Sequence, residues 1–102
     1  FTFIAQGGFN MRKIEQQMKN AIHAHKRWSL NNTLVDPLDD ITLAVYLHGN
    51  EIALINQRTG LVMVNENTLK AYPTPTTKSR LRALGVDVAT RKGVTYLYGR
   101  AI

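Results

Sequence analysis

Between Ile41 and Asn65 the chain reads ITLAVYLHGNEIALINQRTGLVMVN. Ile41, Leu43, Val45 and Leu47 alternate with Thr42, Ala44, Tyr46 and His48, the period-2 pattern of a strand with one buried face. His48-Gly49-Asn50 supplies a tight turn, Ile52 to Ile55 returns, and Gln57-Arg58-Thr59-Gly60 turns again into Leu61 to Val64. Such short spacings with Gly-bearing turns favour an antiparallel meander. The strands expected at 41–48, 51–56 and 61–65 are therefore sequential neighbours, and this segment constrains the fold more than any other.

The flanking segments supply helices. MRKIEQQMKNAIHAHKRWSL places Ile14, Met18, Ala21, Ile22, His25 and Trp28 on one face at helical spacing. Arg12, Lys13, Glu15, Lys19 and Lys26 fall largely off that stripe, and Asn31-Asn32 should end the helix. VDPLDD, with Pro37 and three Asp, reads as a loop. In TPTTKSRLRALG, Thr74 is a good N-cap, Pro75 suits the first helical position and Gly85 sits where helices commonly stop. VDVATRKGVTYLYGRAI reads as a closing hairpin turning at Arg91-Lys92-Gly93. The predicted fold is α+β: a single antiparallel sheet with two helices, in the order α-β-β-β-α-β-β, over residues 11–102. Leu43, Val45, Leu54, Leu81 and Leu84 should share one core, with Trp28 also inside.

A chain of 102 residues is one domain by length, with material for one core. It has no cysteine, which excludes disulfides and Cys-ligated metals. No apolar run approaches a bilayer span. The net charge of +6 is unevenly spread. Residues 1–33 hold five Lys/Arg against Glu15. Residues 34–66 hold Arg58 against five acids, and residues 67–102 hold seven Lys/Arg against Asp87. A strongly basic last third suggests an anionic partner.

On the 75–84 helix, a turn of about 100° per residue puts Thr77, Leu81 and Leu84 on the face that plugs the sheet. Lys78 and Arg82 share one flank and Arg80 takes the other. Thr76, Ser79 and Ala83 form a small-residue ridge facing outward, able to approach a phosphate backbone. The helix N-terminus offers free N–H groups beside the hydroxyls of Thr74, Thr76 and Thr77. Arg91, Lys92 and Arg100 add charge from the last hairpin. The expected nucleic-acid-binding set is thus Thr76, Thr77, Lys78, Arg80, Arg82, Arg91, Lys92 and Arg100, with Lys78, Arg82 and the Arg91-Lys92 turn exposed on one positive surface. Tyr96 and Tyr98 share a face that reads as core with wet hydroxyls rather than as a base-stacking platform.

The histidines do not form a metal site, since His23 and His25 point to different helix faces and His48 stands alone at a turn. Asp36, Asp39 and Asp40 lack calcium-loop spacing. No catalytic residue, metal or cofactor is expected, and no serine-protease-like motif, P-loop or dinucleotide fingerprint occurs.

VYLHGNEIALI, TPTTKSRLRALG and GVTYLYGRAI together resemble a set of small, largely uncharacterised phage-encoded proteins. Those chains share a strand ending in His-Gly-Asn, a Thr-x-Thr-Thr-Lys-x-Arg-Leu helix and an aromatic-rich last strand, over what corresponds to residues 32–102. They often carry tryptophan where Tyr72 stands here. The resemblance implies a phage origin and no particular activity. The expectation is a non-enzymatic phage accessory protein of the bacterial host cytoplasm that binds DNA or RNA through the basic helix and hairpin. A module that captures an acidic host protein is the alternative. A metal-free RNase using Arg, Lys, Tyr and His is the third.

Gln6-Gly7-Gly8 can be encoded by CAA-GGA-GGT, which contains a purine-rich bacterial ribosome-binding sequence, with Phe9 and Asn10 as spacer before Met11. Residues 1–10 are accordingly expected to be translated leader, the alternative being a short strand from Phe1 to Ala5. The encoding DNA tests this: GGA-GG is expected at Gly7-Gly8, and other glycine codons there would overturn it.

Overall fold

A computed structural model describes residues 12–102, so the leader expectation for residues 1–10 lies outside the described residues. The elements in order are α1 (Lys13–His23), β1 (Trp28–Leu30), β2 (Thr33–Pro37), β3 (Thr42–Leu47), β4 (Asn50–Asn56) and β5 (Val62–Val64), then α2 (Glu66–Ala71), α3 (Pro75–Ala83), β6 (Val88–Arg91), β7 (Val94–Leu97) and β8 (Arg100–Ala101). The class is α+β, and the meander β3-β4-β5 stands where the sequence put it.

The single sheet does not. There are two antiparallel sheets, β1 to β5 in sequence order and β6 to β8 in sequence order. A third helix, α2, also falls between Glu66 and Ala71, where no helix was expected; Asn65 caps it by accepting the Thr68 N–H at 3.1 Å. With α2 and α3 intervening, the last three strands pair among themselves, and β6 packs on α3.

The segment after α1 also departs from expectation. The helix stops at His23, five residues short of Trp28, because His25 turns left-handed (φ 55°). Its N–H donates to Ile22 O and that of Lys26 to Ala21 O, both at 3.0 Å, the double closure that usually recruits glycine. Trp28 therefore starts a strand and packs half-buried against the core. Asn31 and Asn32 are not a helix terminus but the two-residue loop of the β1–β2 hairpin, both at positive φ. Half of the expected loop at VDPLDD, Val35 to Pro37, is strand β2. Pro37 is tolerated there because β1 pairs only as far as Val35, leaving the proline's missing N–H on an open edge.

Two-residue loops recur. His48-Gly49, Lys92-Gly93 and Tyr98-Gly99 have positive φ at both positions, as Asn31-Asn32 does, so these four of the six described hairpins use the loop whose twist matches the strands. The register of β3 on β4 slips between Val45 and Tyr46. Past this bulge Ala53 and Ile55 oppose Val45 and Leu43 in the core, and Leu54 is only half-buried. Leu81 is fully buried as expected, whereas Leu84 packs partly buried at the rim.

At the centre of the molecule lies an ion pair. Glu15 is wholly buried and Arg80 is 4% exposed, with Nη1 donating to Oε2 at 2.8 Å. Ser79 Oγ donates to the same oxygen at 2.5 Å, and the Arg12 N–H donates to Oε1 at 3.2 Å. Arg80 Nε donates to the buried Thr33 Oγ1 at 3.1 Å. One carboxylate thus ties the start of α1 to α3, and the guanidinium ties α3 to β2. Glu15 precedes Met18 and Ile22 by three and seven residues, which places it on the apolar face rather than off it.

Removing one member of a buried pair leaves an uncompensated charge, a loss of about 3–5 kcal/mol. Glu15→Ala should lower the urea-unfolding free energy by about that much, and the combined Glu15→Leu, Arg80→Met protein should be more stable than Glu15→Ala alone. Gly49 (φ +79°) has open space around it, so Gly49→Ala meets no clash and tests backbone strain alone. It should cost about 1 kcal/mol in the same assay, and Gly49→Asn should cost less, since asparagine tolerates this conformation at Asn32.

Candidate functional site

The residues expected to grip an anion are distributed by α3. Thr74 caps it as expected, its Oγ1 accepting the Thr77 N–H at 3.1 Å, and Pro75 takes the first turn. The C-terminus closes at Gly85, whose N–H donates to Arg82 O at 2.9 Å while that of Val86 donates to Leu81 O at 3.0 Å. Between these caps the helix is more enclosed than its polar sequence suggests. Ala83 is buried and Ser79 is spent on Glu15, so the small-residue ridge lies among neighbouring elements instead of facing a ligand.

Three site expectations are corrected by burial. Arg80 is inside, committed to Glu15 and Thr33, and is no surface contact. Thr77 is buried with its hydroxyl against Thr74 Oγ1 at 3.0 Å. Lys78, expected in solvent, is only 7% exposed, because β6 folds over that flank and its ammonium donates to Thr90 Oγ1. Among the described residues no carboxylate lies within ion-pair distance of Lys78.

Arg82 is exposed, as expected. Its Nε donates to Val88 O at 2.9 Å, and its terminal nitrogens make no further hydrogen bond among the described residues. Lys78 and Arg82 open onto one trough of about 480 Å³ between α3 and the β6–β7 hairpin, with Pro73, Pro75, Thr90 and Thr95 among its walls. Through Pro73, Gly93 and Thr95 this trough runs into a second hollow that reaches Lys70. No Asp or Glu lines either.

The remaining cations do not gather there. Thr90 and Thr95 are cross-strand partners on the trough side, so Arg91, one residue on, points to the opposite face, where it lies 4.9 Å over the Tyr96 ring. Lys92 is exposed at the hairpin tip beside Gly93. Arg100 is exposed but paired with Glu66 at 3.0 Å. The single positive surface expected from sequence is thus divided. Tyr96 is half-buried, and Tyr98 occupies a turn with positive φ and is exposed, so the two tyrosines form neither one face nor a shared core.

Thr76 belongs to a different opening. On the other side of the 72–78 segment, Leu47 and Ile52 floor a cleft of about 300 Å³ walled by His48, Asn50, Tyr72 and Thr76. The strand end His48-Gly49-Asn50 and the Thr-rich helix start therefore meet in space, with Tyr72 exposed at the elbow between α2 and α3.

Most of the acidic middle is structural. Asp39 accepts the Ile41 and Thr42 N–H groups at 2.8 and 2.7 Å, and these bonds hold its carboxyl below the usual carboxylate range. His25 bridges Gln57 Oε1 and the Asp39 carbonyl oxygen, and Asp36 pairs with Arg27 at 3.2 Å. No group of three metal-ligating side chains occurs among the described residues, nor is any helix there long and apolar enough to cross a membrane. Lys70, Thr90, Thr95 and Tyr72 were not singled out as site residues from sequence. Lys70 was visible only as one of the cations of the last third, and the others depend on how β6 and β7 fold back.

No curated protein and no solved structure matches the chain. The family model for the Kyanoviridae Gp96 protein matches residues 11–101, nearly the whole chain and more than the 71 residues carrying the motif resemblance, and it agrees with the phage origin those motifs imply. The chain belongs to this phage protein family, the Kyanoviridae Gp96 protein.

Proposed function

We propose that this protein is a non-enzymatic nucleic-acid binder whose backbone contact is the trough between α3 and the β6–β7 hairpin. The observation that carries the reading is Lys78: a residue only 7% exposed whose ammonium has a hydroxyl partner and, among the described residues, no carboxylate within ion-pair distance. A buried charge is costly unless an opposite charge accompanies it, so the environment of Lys78 favours an anion in the trough. Arg82 presents guanidinium nitrogens without a partner among the described residues to the same space, and the adjoining hollow brings in Lys70. A line of cations without interleaved acids suits a polyanion better than a single ligand.

The contact set is smaller than the sequence suggested. It comprises Lys70, Lys78 and Arg82, with Lys92 at the border. Arg80, Arg91 and Arg100 are engaged elsewhere. Contacts of this kind bind phosphates with little sequence preference and with strong dependence on salt.

Replacing the two exposed residues Lys70 and Arg82 with Ala should reduce the log-affinity versus log-salt slope by about 1.4 on single strands. Loss of the Arg82–Val88 bond should lower stability by about 1 kcal/mol, leaving a folded protein by circular dichroism. Arg91→Ala, on the opposite face, should leave the slope unchanged. Absence of binding to DNA or RNA by the parent at low salt, or an equal effect of Arg91→Ala, would overturn this reading. Binding to acidic peptides in place of nucleic acid would favour the protein-partner alternative.

A further inference from the structure

The segment from Tyr72 to Lys78 forms a thin partition between two openings of opposite character. Pro73, Pro75 and Lys78 face the trough, while Tyr72, Thr74, Thr76 and Thr77 face the cleft. Successive residues alternate sides because the chain is extended at Thr74 before it coils into α3. The trough is lined by cations. The cleft carries none of Lys, Arg, Asp or Glu among its lining residues.

We propose that the cleft receives one unpaired nucleobase, which makes single-stranded nucleic acid the ligand class; this rests on the reading of the trough as a phosphate contact. The cleft selects its occupant by chemistry. Its floor, Leu47 and Ile52, is buried aliphatic surface, suited to a flat apolar face. Tyr72 is 50% exposed, so its ring is available to stack on that occupant. Around the rim, Asn50, His48, Thr68 and Thr76 offer hydrogen-bond donors and acceptors to a polar edge. A neutral group with an apolar face and a polar edge describes a nucleobase; a phosphate or a carboxylate has no apolar face to lay on that floor. A paired base in a duplex hides its faces in the stack and its edge in its partner, so the occupant must come from an unpaired strand. The phosphates then lie across the partition, against Lys78 and Arg82.

The test compares a short oligothymidylate with an abasic strand of the same length and phosphate count, each titrated by fluorescence anisotropy against the parent, Tyr72→Ala and Tyr72→Phe. The parent should bind the base-bearing strand about tenfold more tightly than the abasic one, the scale of one base stacked on an aromatic side chain. Tyr72→Ala should abolish that advantage while leaving the abasic affinity and the salt slope as they were. Tyr72→Phe, which keeps the ring, should retain it. Equal binding of both strands by the parent, with a normal salt slope, would overturn the cleft proposal and leave the trough reading standing. Binding of neither strand would overturn both. Equal loss on both strands in Tyr72→Ala, with Tyr72→Phe intact, would show that the ring supports the trough and would also overturn the base contact.

Discussion

The Glu15–Arg80 pair is the constraint on which the remaining architecture depends. It joins residues 65 positions apart, inside the molecule, and its second bond to Thr33 brings in the large sheet. Because α3 is held against α1 on one flank, its opposite flank is left for β6, and the small sheet is fixed in place by the same helix. The two buried cations of α3 then make an instructive contrast. Arg80 meets the Glu15 carboxylate and the Thr33 hydroxyl, so its charge is answered by the protein. Lys78, two residues earlier, meets only a threonine hydroxyl. Within a single turn the helix neutralises one cation with a carboxylate and leaves the other, among the described residues, with a hydroxyl alone.

What the sequence made legible follows the range of the interactions concerned. The meander was readable because alternation and Gly-bearing turns are local. The same holds for α3, whose Thr74, Pro75 and Gly85 each act within a few residues. The end of α1 was not readable, since His25 takes the left-handed cap usually given to glycine, and its ring is held by Gln57 and Asp39, far away in sequence. Burial of Arg80 was invisible for a related reason: a cation on a polar-looking helix faces water unless a distant acid turns inward, and Glu15 had been placed off the apolar stripe. Leu54 fell out of the core through a bulge that no periodicity announces. The candidate site was half legible. Helical spacing put Lys78 and Arg82 on one flank, but the burial of Lys78 and the trough they share required β6 and β7 to fold back, and the cleft required the β3–β4 turn to meet α3.

The family relationship and the geometry bear on different questions. Membership of a phage protein family places the chain in its biological setting. The partition between trough and cleft concerns chemistry, because it puts charge on one side of a short segment and neutrality on the other. Under the proposed reading, a ligand with alternating charged and uncharged parts along its length would meet both sides at once, as no simple anion would.

The four two-residue hairpin loops carry a consequence for how the chain assembles. Within each sheet every described strand pairs with its neighbour in sequence. Loop closure therefore costs little entropy at each step, and both sheets can form from local encounters. The α1–α3 junction is different, since Glu15 and Arg80 must meet across most of the chain. Sheet formation ahead of that docking would leave Glu15 solvated until the apolar surfaces of α1 and α3 close over it. On this order of events the ion pair acts as a late latch: its loss should hasten unfolding more than it slows folding.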